Sequence, residues 1–155
     1  MRSSAFGLLV AVLLLAGCGG GSSRLSKTDY EQHLHTDATL IAKAATNAST
    51  ADFNTPDQYA RRVALAQHDM ARAAKDLDTI KPPADAEQDT KQIVAGVRYL
   101  ANALARLHRA ATTSSFTDAQ KVSSDIAASP EVKGVATAIK DLKGKGYDVG
   151  AFSGP

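Results

Sequence analysis

From about residue 26 to residue 142, apolar side chains recur three and four positions apart, the period of amphipathic helices. Tyr30, Leu34, Ile41, Ala44, Ala45 and Ala48 form the first stripe. Ser26 stands where an N-cap would, and Asp29 and Glu31 suit the positive start of a helix dipole. The pattern predicts a helix over residues 26–48, followed by a polar loop over 47–54. A second helix should open at Thr55-Pro56-Asp57, with Thr55 as N-cap and Pro56 in the first turn, where its missing N–H does no harm. Its stripe is Tyr59, Val63, Ala66, Met70, Ala73, Ala74, Leu77 and Ile80, and Lys81-Pro82-Pro83 ends it.

A third helix is predicted over residues 84–112, with Ile93, Val97, Leu100, Leu104, Leu107 and Ala111 on one face. After the Thr-Thr-Ser-Ser break at 112–115, a fourth starts near Thr117 or Asp118 and carries Val122 and Ile126. Ser129-Pro130-Glu131 has the form of a new N-cap with proline behind it, so this helix should be kinked or broken there before Val135, Ile139 and Leu142 resume the stripe. Gly144 and Gly146 close it. Such stripes are not stable alone and must face one another. The expected fold is all-α, an up-down-up-down four-helix bundle over residues 26–146 with a C-terminal tail over 147–155. Its core would be rich in alanine.

The start of the chain follows a different pattern. Arg2 precedes an uncharged run from Ala5 to Leu15, too short at about 16 Å of helix to span a bilayer core comfortably. A positive start, a short apolar run and small residues after it are the features of an export signal. The run ends in Leu15-Ala16-Gly17-Cys18, and Cys18 is the only cysteine in the sequence. This tetrapeptide resembles the lipobox of bacterial lipoprotein precursors. The resemblance implies cleavage of residues 1–17 and attachment of acyl chains such as palmitate to Cys18. It also implies a lipid anchor on the extracytoplasmic face of a cell membrane, at the cell surface or in the periplasm. A single acyl chain binds a membrane only marginally, whereas the two or three expected here anchor it stably. Residues 18–25, with Gly19-Gly20-Gly21-Ser22-Ser23, read as a lipidated cysteine and flexible tether.

Loss of 17 of the 155 residues would leave 138, enough for one domain with a core. The remaining charges, 17 basic and 16 acidic, leave no excess for a nucleic-acid surface, and tryptophan is absent. Four histidines raise the question of a metal site. His33 and His35 lie two positions apart and so diverge by about 200° around a helix. His68 falls opposite its stripe, and His108 sits at a stripe edge. The segment order and the Pro-Pro turn look like the small periplasmic haem bundles of the cytochrome b562 type. Those use a methionine in the first helix and a histidine in the fourth, and neither is present in the matching segment here.

No Gly-x-Ser-x-Gly occurs, Asp76 and Asp78 diverge at two positions apart, and Asp85, Glu87 and Asp89 suit the start of a helix. Arg61-Arg62 and Arg106 with Arg109 read as solvated faces, and Met70 and tyrosines 30, 59 and 99 as packing residues. The sequence therefore points to no catalytic, cofactor or metal residues, and to Cys18 as the lipidation site. The expectation is a non-enzymatic, membrane-anchored binding or structural module, whose partner would be another envelope protein or a small ligand. The alternative is a metal- or haem-binding bundle in which His33 and His108 find partners across the core.

Overall fold

A computed structural model describes residues 23–49 and 55–153. The signal, the lipobox and Cys18 lie outside the described residues. The fold is all-α, with four helices packed in chain order and the fourth bent by 40° at residue 129. The helices are α1 (Lys27–Ala48), α2 (Pro56–Thr79), α3 (Glu87–Thr112), and the two arms of the fourth, α4 (Phe116–Ala128) and α5 (Pro130–Gly144). A 3-10 turn, Ala84–Ala86, leads into α3, and a second, Gly150–Ser153, follows α5.

The helix starts lie where their side chains can satisfy free backbone N–H groups. Ser26 Oγ accepts from Asp29 N at 3.1 Å, and Thr55 Oγ1 accepts from Gln58 N at 3.3 Å. Ser115 does the same for α4, one or two residues before the expected start. Ser129 is the hinge of the bent arm. Its hydroxyl accepts from Val132 N at 3.2 Å and donates to Glu131 Oε2 at 2.6 Å, so the cap that starts α5 also ends α4. The α5 end is a Schellman turn: Tyr147 N donates to Leu142 O and Gly146 N to Lys143 O, both at 2.9 Å. Gly146 takes the φ of 78° that this turn requires.

The core joins Tyr30, Leu34, Val63, Leu77, Ile93, Val97 and Leu142, with small alanines between them such as Ala66, Ala73, Ala103 and Ala138. Two parts of the packing depart from the expected stripes. Ala45 is exposed, while Asp37 and Ala38 are buried, so the α1 face runs 30, 34, 37, 41, 44, 48. Helix α3 contacts α2, α4 and α5 and buries a wide arc that includes Val94, Gly96, Ala101 and Ala103, beyond its single expected face.

The stretch read as a tail is part of the packing. Tyr147 and Val149 are buried, and the Gly150–Ser153 turn lies against α1. The Tyr147 ring meets the Tyr30 ring edge-on, with centroids 5.5 Å apart, a geometry that the ring quadrupoles favour.

Candidate functional site

One end of the bundle gathers most of the polar chemistry. It holds the starts of α1 and α3 and the ends of α2 and α5. Tyr30 Oη lies 2.7 Å from Thr90 Oγ1, and Thr90 donates its own proton to Ala86 O at 2.8 Å. Tyr30 must therefore be the donor of the pair. Burial, reinforced by Asp89 and Asp85, pushes its phenol up to about 12. Replacing Tyr30 with phenylalanine is expected to cost about 1 kcal/mol, the usual worth of one buried neutral hydrogen bond, as measured by urea denaturation.

The acidic start of α3 does more than suit a dipole. Asp89 is buried and accepts from Lys145 Nζ, which also donates to Asp85 O at 2.7 Å. That pairing holds the Lys145 ammonium above its ordinary value. Tyr147 Oη donates to Asp85 Oδ1 at 2.7 Å, so the α5 end is bound to the α3 start at three points. Burial first, then the bond to Asp85, raises the Tyr147 phenol.

Beside this network lies an open groove of about 510 Å³ between the end of α2 and the first turns of α3. Its floor is apolar: Leu77, Ile80, Pro82, Val94 and Ala95. Its rim carries four cations, Arg24, Lys81, Lys91 and Arg98, against two carboxylates, Asp78 and Glu87. Glu87 accepts from Lys91 at 2.7 Å and from Arg24 at 2.6 Å, which holds its carboxyl down at about 2. Arg98 pairs with Asp78. Arg24 also donates to Pro82 O at 3.0 Å, and Leu25 N to Lys81 O at 2.7 Å, so the chain preceding α1 is fastened to one wall. The Lys81 ammonium has no partner among the described residues.

The histidines are dispersed. His33 is exposed in a shallow depression formed with Leu25, Asp29, Gln32 and Thr36, all on α1 or just before it. His35 pairs through Nε2 with Asp148 Oδ1 at 3.0 Å, fastening the C-terminal stretch to α1. His68 is exposed, with its Nδ1 3.7 Å from Asp69 Oδ1, and His108 is half-buried on α3. Among the described residues no three histidine, cysteine or acidic side chains are grouped to hold a metal ion.

Arg106 stays partly exposed and is also paired across helices. It donates to Asp125 Oδ2 at 2.8 Å, and Tyr99 Oη donates to Asp125 O at 3.0 Å, which ties α3 to α4. Sequence reading missed this because the partner lies on another helix, at a register that only packing sets. Arg61, Arg62 and Arg109 are exposed. Among the described residues no helix is long and apolar enough to cross a membrane.

The fold and this groove define a small four-helix bundle with an amphiphilic cleft at one end. The chain matches no protein-family model, and comparisons with curated proteins and with solved structures find no significant match.

Proposed function

We propose that this chain is a bacterial envelope lipoprotein, anchored on the extracytoplasmic face of a membrane by lipid on Cys18, and that its bundle is a non-enzymatic binding or structural module. The observation that carries the reading is the Leu15-Ala16-Gly17-Cys18 motif directly after an uncharged apolar run, with the sequence's one cysteine at its end. A lone thiol has no intramolecular disulfide partner, which leaves it free or modified. The position of α1 supports the same reading. It begins at Lys27, so only residues 19–26 separate the bundle from the anchoring cysteine. Arg24 and Leu25 are already bonded to Pro82, Glu87 and Lys81, so only residues 19–23 are left as tether, at most about 18 Å when extended, which keeps the bundle near the membrane surface.

The test is the mass of the N-terminal peptide of protein isolated from its host's membranes, together with incorporation of a labelled palmitate analogue. The expected peptide begins at Cys18 and carries acyl chains, and Cys18→Ala abolishes the label. A mature N-terminus elsewhere, or an unmodified Cys18, would overturn the assignment.

A further inference from the structure

We propose that the groove between α2 and α3 binds a single-chain amphiphile with an anionic head. The proposal does not depend on lipid at Cys18, since every lining residue lies beyond residue 23. The volume, about 510 Å³, falls in the range of small-molecule sites. The floor and the rim ask for different parts of one ligand. Leu77 and Val94 are buried core residues whose surfaces form the bottom, and Ile80 and Ala95 extend it outward, a surface suited to an alkyl chain. Nothing polar on that floor remains to be satisfied, because the Thr90 hydroxyl is already bonded on both sides.

The head group is chosen by charge. The rim has two more cations than carboxylates. Lys91 and Arg24 share one carboxylate, and Arg98 takes the other. Lys81 is left over, on the turn immediately beside the floor. A carboxylate or phosphate at Lys81 would meet that free ammonium and lie near Arg24 and Arg98, whose guanidinium groups retain further N–H donors. A cationic head would face net repulsion, and a purely apolar molecule would leave the rim unused.

The experiment is native mass spectrometry of the whole protein extracted in a neutral maltoside detergent. The probes are dodecanoate, dodecyl phosphate and dodecyltrimethylammonium. The expected result is a one-to-one complex with the anionic probes, held at least about tenfold more tightly than the cationic one, a difference of about 1.4 kcal/mol. The tighter of the two anions identifies the head group as carboxylate or phosphate. Lys81→Glu, which breaks no contact among the described residues, should weaken both anions severalfold. Ala95→Trp, at an exposed helix position, should fill the floor and remove binding. Circular dichroism and the melting temperature establish that each variant remains folded. Failure of both anionic probes to bind, equal binding of the cationic probe, or parent-like binding by both folded variants would overturn the proposal.

Discussion

Adding one methyl group at Gly96 is expected to destabilise the bundle by about 2 kcal/mol, although glycine to alanine inside a helix ordinarily stabilises by up to about 1 kcal/mol. A Cβ on Gly96 would lie 2.1 Å from Val135 Cγ2 and 2.7 Å from Glu131 O. The first contact can be relieved by a side-chain move. The second is backbone, so α5 must shift away from α3. Gly96 is buried on the central helix, at the seam where the arm beyond the Ser129 bend returns to the core.

Gly134 on α5 is the internal control. A Cβ there meets nothing within 4 Å, so Gly134→Ala should follow helix propensity and stabilise by up to about 1 kcal/mol. The double variant Gly96→Ala/Val135→Ala should recover only part of the loss, because the Glu131 carbonyl remains. Urea denaturation of the three variants measures all of this. Equal stabilisation by both glycine replacements would contradict the α3–α5 packing.

Replacing Asp37 by asparagine is expected to stabilise the protein at pH 7.5 by about 1–2 kcal/mol, and the gain should fade on acidification. Asp37 is 2% exposed on the core-facing side of α1 and has no hydrogen-bond partner among the described residues. Burial first, then repulsion from Asp76, raises its carboxyl from 3.8 to about 6, while Arg72 opposes the change. The folded state therefore holds a proton that the unfolded chain releases between pH 3.8 and about 6. Stability linked to this group is fully present below 3.8 and is lost as the pH rises through about 6.

A shift of this size corresponds to roughly 3 kcal/mol at neutral pH, and the amide's own desolvation reduces what asparagine recovers. Parallel melting curves from pH 4 to pH 8 test the prediction. A difference between parent and variant that does not change with pH would show that the Asp37 carboxylate carries no desolvation cost.

Much of the fold was legible from local rules. Ser26, Thr55 and Ser129 were readable as N-caps because a hydroxyl one residue before a helical run has a defined partner two or three residues on. Pro56 and Pro130 marked helix starts because proline is harmless only in the first turn. The three-four spacing located the helices and most of their buried faces. Asp37 was hidden by its charge and not by its position: 30, 34, 37, 41, 44, 48 is an uninterrupted helical stripe once an acid is allowed in it.

The groove, the Gly96 contact and the Lys145–Asp89 pair left no such trace. Each joins residues on different helices or distant segments, and Arg24 meets Glu87 across 63 positions of sequence. Tyr147 and Val149 read as a tail because so short a stretch shows no helical period, yet they are buried at the foot of α1. The sequence by itself determined where helices begin, end and turn their apolar sides, and it placed a lone cysteine in a lipobox-like motif. Only the tertiary structure decided which helices touch, how closely they approach, and which charges share a cleft. Helix periodicity and capping act within a few residues, whereas the register between helices is set by the packing of many side chains at once.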